Sequence, residues 1–213
     1  MRHRTKSGAV FVAAAAIGCG CAWADDAAAS ITVEVRDDAH LSAATLAAAT
    51  SLAGRTLGKA GIEVRWTSPQ TAGAPGASSE IGDPTRLELA ILAPGQPAPV
   101  LTHSALGYAV LRTDGTPGTR AGVRMGEVQR ALHDTVASLP QVLGYVIAHE
   151  LGHLLLGMEG HTQWGLMAAD VVGRRLDQAA RGTLAFSSDE AERLRAGVRR
   201  RRAAASAPPA VVD

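Results

Sequence analysis

Apolar and polar residues alternate along 31–36 (ITVEVR), which puts Ile31, Val33 and Val35 on one side of an extended chain and predicts a strand. The same reading predicts strands at 62–66, at 87–92 (LELAIL, an apolar run suited to a sheet interior), at 106–111 and at 121–125. Between them, 39–59 is rich in alanine and leucine and reads as a helix stopped near Gly58 and Gly61. The stretch 67–84 collects prolines, glycines and serines and reads as a loop. A second helix is expected at 127–137 and a short one within 172–182. A last helix is opened by Ser187 and Glu190 as a capping box and runs to Arg200. This order predicts a mixed α+β fold: a twisted, mostly parallel sheet of about four to five strands packed on two long helices, with a helical C-terminal part.

The most informative stretch is 140–156. Val142, Leu143, Val146, Ile147, Leu151, Leu154 and Leu155 cover nearly every side of a helix, so this helix belongs in the core. Ser138 and Gln141 form a capping box at its start, and Pro140 falls in the first turn, where its missing N–H costs little. Yet the same helix carries His149, Glu150 and His153, and burying unpaired polar groups costs about 1–3 kcal/mol each. A bound metal ion would supply the partner.

Those three residues spell H-E-x-x-H, and a separation of four places both imidazoles on one helical face, able to reach one ion. Two histidines and a third ligand leave zinc one open position for water or substrate. The ion lowers the pKa of a bound water to about 7, and an adjacent carboxylate, here Glu150, can take the proton and pass it to a leaving group. Downstream come Gly157, His161 and the Gly-Leu-Met ending at Met167. Gly157 suits the left-handed residue that ends a helix, and Gly160 adds freedom that brings His161 back as third ligand. Glu159 is the rival ligand. Imidazole is the commoner zinc ligand, which favours His161.

In this motif the chain resembles the metzincin zinc endopeptidases, whose pattern is H-E-x-x-H-x-x-G-x-x-H followed by a methionine turn. The short gap from His161 to Met167 is closest to the matrixin-like branch, and the stretch is also similar to small exported bacterial proteins carrying H-E-x-G-H-L-L-L-G. The spacing departs from the family's, whose glycine would fall at Leu156 and third ligand at Glu159. Here the glycine comes one residue later, and the candidate histidine two. The resemblance implies one zinc ion, Glu150 as general base and then acid, Met167 packed beneath the metal, and a peptide or protein substrate.

Four further residues sit within or beside the motif. Tyr145, one turn before His149, reads as a core tyrosine or as an oxyanion donor, Trp164 as a pocket wall or a loop cover, and Asp170 as an orienting partner for a ligand histidine. Met167 reads as a core residue apart from its family role. His40, His103 and His133 bear no spacing relation to the motif and read as ordinary surface or hydrogen-bonded histidines.

Composition bounds these readings. With 213 residues and 46% hydrophobic content, 25–202 makes one domain. Arg2, Arg4 and Lys6 precede an apolar run at 9–20 and an Ala-Trp-Ala at 22–24, the pattern of a cleaved export signal and too short to span a bilayer. The expected mature protein is therefore periplasmic or secreted, with no stable membrane insertion. Lipid attachment at Cys19 is disfavoured. Cleavage would remove Cys19 and Cys21, leaving no cysteine to ligate metal, and would leave 18 basic residues against 20 acidic, a balance that calls for no nucleic acid. The four arginines at 199–202 read as a solvated helix end, and 203–213 as a disordered Ala/Pro tail. Nothing in the pattern selects an oligomeric state. An alternative from another class is an exported binding or scaffold domain with a structural or vestigial zinc site. It requires a fourth protein ligand, with Glu159 or Asp170 in that place.

Overall fold

The computed structural model describes residues 29–68, 83–99, 105–112, 116–157, 161–168 and 174–206. The leader with Cys19 and Cys21, His103, Glu159, Asp170 and the chain from 207 lie outside the described residues.

The elements run in the order β1 (Ala29–Asp37), α1 (Ala43–Lys59), β2 (Ile62–Thr67), β3 (Arg86–Leu92), β4 (Gly107–Val110), β5 (Arg120–Arg124), α2 (Met125–Ala131), α3 (Leu139–Leu156), α4 (Arg174–Ala180) and α5 (Ser188–Ser206). The strands form one sheet in the order β2-β1-β3-β5-β4, parallel throughout except for β4 against β5. This is the expected mixed fold with a mostly parallel sheet.

Register explains why the sheet has one greasy side. Val33 pairs with Leu87, Val35 with Leu89, and Ile91 with Val123, so buried residues of three neighbouring strands line up on the same face. The alternate positions carry Thr32, Glu34, Glu88 and Arg120, with Glu34 held by Arg86 at 2.7 Å. Helix α3 packs against α1 and the β4–β5 end of the sheet, and its residues from Val142 to Leu155 are all buried. The near-uniform apolar surface read from the sequence is matched by contacts on every side. Two glycines let α1 and α5 approach the backbone of α3. A Cβ at Gly144 would lie 2.8 Å from the Ala49 carbonyl of α1, and one at Gly197 of α5 would collide with the Leu155 carbonyl.

The largest boundary differences from the sequence reading are at the ends of three helices. Helix α1 begins at Ala43 rather than 39, because the Asp37 carboxylate accepts from Ala39 N at 3.1 Å and Leu41 N at 2.8 Å, holding a turn in which His40 has φ 55°. The helix starts only at the Ser42 cap, whose hydroxyl accepts from Thr45 N. Helix α2 ends at Ala131 and tightens into a 3-10 turn at Leu132–Asp134, and Thr135 is extended with its hydroxyl accepting from Ala137 N. Helix α5 continues to Ser206, past Arg200 and into the segment read as tail.

The arginine run explains that extension and corrects the solvated reading. Arg201 is 2% exposed and donates to the carbonyls of Pro84 (2.7 Å), Gly118 (2.6 Å) and Leu154 (2.5 Å), which lie before β3, before β5 and in α3. Burial, and then the charge of Arg200, pull its pKa down to about 10, so it stays a cation at neutral pH. Arg202 reaches Ser30 Oγ at 2.7 Å, while Arg199 and Arg200 are exposed. Among the described residues no helix is long and apolar enough to cross a membrane.

Arg201→Leu leaves three carbonyls without their donor and should cost about 3 kcal/mol or more in urea unfolding. Arg199→Leu, in the same run but exposed, should stay within about 0.5 kcal/mol of the parent.

Candidate metal centre

Helix α3 starts where the sequence places it. Ser138 N donates to Gln141 Oε1 at 2.8 Å, and Gln141 Nε2 reaches the Ala180 carbonyl, tying the start of the helix to α4. It stops at Gly157, whose φ of 67° and ψ of 30° are left-handed and whose N–H donates to the His153 carbonyl at 2.9 Å. His149 and His153 therefore lie on its last turns, and the chain turns away immediately afterwards.

The imidazoles of His149, His153 and His161 converge. One nitrogen from each lies within 4.8 Å of the others, and ring centroids are 4.7 Å (His149 to His153), 4.9 Å (His153 to His161) and 5.4 Å (His149 to His161) apart. His149 Nδ1 lies 2.7 Å from the Leu166 carbonyl. A carbonyl can only accept, so Nδ1 carries the proton and Nε2 keeps its lone pair. That lone pair faces His153 Nε2 at 3.0 Å. Zinc–nitrogen bonds of about 2.0–2.1 Å in tetrahedral geometry set two ligand nitrogens about 3.3 Å apart, so this pair has ligand spacing and the donor set fits the ion.

Electrostatics agree with that assignment. Burial, and then His153 beside it, push the pKa of His149 down to about 3, which keeps the ring neutral as a ligand must be. Burial pushes the Glu150 carboxyl up to about 8. A cation at the triad would oppose that shift by favouring the carboxylate. Glu150 lies against β4: a Cβ at Gly107 would sit 2.7 Å from its Cγ and Oε1, so only glycine leaves room there.

Residues 161–168 form a closed turn. Thr162 N donates to the Met167 carbonyl at 2.9 Å, Thr162 Oγ1 lies 2.7 Å from the Trp164 carbonyl, and Gly165 takes φ 85°. Met167 is fully buried, its sulfur 2.5 Å from where a Cβ on Gly152 would lie, one residue from His153. Trp164 is 78% exposed. Tyr145 belongs to the hydrophobic core; burial raises its pKa, and the charge that acts on it is Arg55 of α1 rather than a group of the triad. Glu159 and Asp170 lie outside the described residues. His40 sits in the turn before α1, and His133 is exposed, neither within the cluster.

Sequence reading missed what holds the turn. Glu190 is 1% exposed and accepts from Thr162 Oγ1 (2.5 Å), Met167 N (3.1 Å) and Ser187 N (2.7 Å). Its only visible signal was the capping box with Ser187. A Cβ at Gly165 would collide with its carboxylate, and Arg175 of α4 donates to the Gly165 carbonyl. The Leu166 carbonyl, being main chain, has no sequence signal at all.

No protein-family model and no curated protein matches the chain. Among solved structures it is similar to a zinc-dependent peptidase from Methanocorpusculum labreanum, with TM-score 0.53 and 16% identity over 76% of this chain and 99% of that one. An archaemetzincin from Methanopyrus kandleri matches with TM-score 0.47 and 18% identity over 80% and 97%. At 16% identity the likeness to the first of these is one of fold alone.

Titrated with zinc, the metal-free protein should take up one equivalent and gain thermal stability. At a hundredfold excess over Kd the gain is about 2.7 kcal/mol, and His153→Ala should abolish the shift in melting temperature.

Proposed function

We propose that the chain is an exported zinc-dependent metallopeptidase of metzincin-like type, with His149, His153 and His161 holding one zinc ion and Glu150 serving as general base and then acid. The observation that carries this is the convergence of the three imidazoles, with His149 Nε2 left free by the Leu166 carbonyl and Glu150 on the adjacent position of the same helix. The fold likeness to a zinc-dependent peptidase supports it, as does the turn ending at the buried Met167. The gap from His161 to Met167 keeps the resemblance nearest the matrixin-like branch. Export rests on the leader at 1–24.

Bound at the triad, zinc would polarise a carbonyl and lower the pKa of water to about 7. The protein's own groups do the rest. Glu150 accepts a proton on one carboxylate oxygen and later releases it to the departing amine, which requires it to ionise in a buried setting. His149 is locked in one tautomer, so its ring neither flips nor competes for that proton.

Peptide as substrate is supported by β4. Among the described residues it ends the sheet, leaving one edge to pair with an extended chain, and Gly107 on that strand touches Glu150. A peptide aligned there runs its main chain past the carboxylate.

Cleavage of a mixed peptide library should occur and be stopped by a chelator. Glu150→Gln should still bind one zinc while kcat falls by about 10²–10⁴-fold. Full activity in that variant removes Glu150 from the reaction, and bound zinc without chelator-sensitive cleavage favours a scaffold role.

A further inference from the structure

The carboxylate of Glu190 has two duties on its two oxygens. Oε2 accepts from Ser187 N at 2.7 Å, and Glu190 N donates to Ser187 Oγ at 3.2 Å, which completes a helix cap for α5. Oε1 points elsewhere, accepting from Thr162 Oγ1 at 2.5 Å and Met167 N at 3.1 Å. A cap needs only the first oxygen. The second grips the turn at both ends, one residue after His161 and one residue after Leu166.

We propose that Glu190 is a positioning residue for the metal centre: through the main chain of 162–168 it holds the Leu166 carbonyl against His149 Nδ1 and the His161 ring beside the other two. This rests on the metallopeptidase reading, since the triad must bind metal for the positioning to matter.

The geometry constrains the route. Met167 N and the Leu166 carbonyl belong to the same peptide plane, so fixing that N–H fixes the direction of the carbonyl, which points to the opposite side. The carbonyl then selects the Nδ1–H tautomer of His149 and orients its ring. On the other strand of the turn, the Thr162 hydroxyl fixes the residue immediately after His161. Gly165 lets the turn close directly onto the carboxylate, and Arg175 of α4 braces the Gly165 carbonyl independently of Glu190. Among the described residues Glu190 forms no ion pair, and the groups that donate to it there are these N–H and O–H groups. Replacing it with an amide weakens the grip without breaking an ion pair among the described residues.

The side chain of Gln has the same shape but only one acceptor, so in Glu190→Gln the cap and the turn compete for it. Zinc affinity is read by competition with a chromophoric chelator, the melting temperature is taken on the metal-free form, and the His149 tautomer is read from nitrogen-15 shifts of the metal-free protein. Ser187→Ala removes the cap hydroxyl and leaves Oε1 on the turn. Glu190→Gln should weaken zinc binding by about 10–100-fold and mix the His149 tautomers. Ser187→Ala should lower the melting temperature and leave zinc affinity and tautomer unchanged, and Glu190→Asp should recover part of the loss. If Glu190→Gln does not fold, Thr162→Val tests the same oxygen with an isosteric change, and should weaken zinc binding measurably with the cap intact. Unchanged zinc affinity and an unmixed tautomer in Glu190→Gln, or in Thr162→Val where that substitutes for it, overturn the inference while leaving the metallopeptidase reading standing. A parent protein that binds no zinc overturns both.

Discussion

A helix buried on all sides carries two imidazoles and a carboxylate, and everything around it answers that burden. Left without partners, such groups would cost several kcal/mol, a large share of a domain's net stability of about 5–15 kcal/mol. The protein meets the cost with main-chain chemistry. The Leu166 carbonyl takes the Nδ1 proton of His149, and one nitrogen from each of the three rings is turned toward a common point. The site is thus less an addition to the core than the condition under which this helix can be core at all.

Around that condition the fold is organised in shells. The sheet contributes a face of Ile31, Val33, Leu87, Leu89 and Val123, and α1 closes on α3 where Gly144 lets the two backbones approach. Its last turn is held from the other side: Arg201 ties the Leu154 carbonyl to the segments before β3 and β5, while Gly197 brings α5 against Leu155. Helix α5 therefore fixes the site at two places, with Arg201 near the end of the motif helix and Glu190 at the turn beyond His161.

Most of this architecture was legible because period and burial coincide. Alternation in 31–36 and the apolar run in 87–92 found their strands, and the all-round apolar surface of 140–156 found the helix with the Ser138 cap and the Gly157 stop. The triad was legible because a metal-ligand pattern is written in side chains. What escaped was written in the main chain or in residues with two roles. The Leu166 carbonyl leaves no trace in a sequence, Glu190 looked like half of a helix cap because it is one, and Arg201 looked like one more charge at a helix end. Asp37 likewise holds the Ala39 and Leu41 amides in a turn ahead of α1, so alanine content overran the true start by four residues.

Gly157 itself marks where α3 unwinds: its left-handed angles and its bond to the His153 carbonyl complete the stop. The link from there to His161 is then free to lengthen, and closing a slightly longer link costs only about a few tenths of a kcal/mol. Ligand spacing beyond the helix is for that reason a poor ruler for kinship among such chains. In this chain the fixed point is the release of the helical ladder at Gly157, one turn after the second histidine.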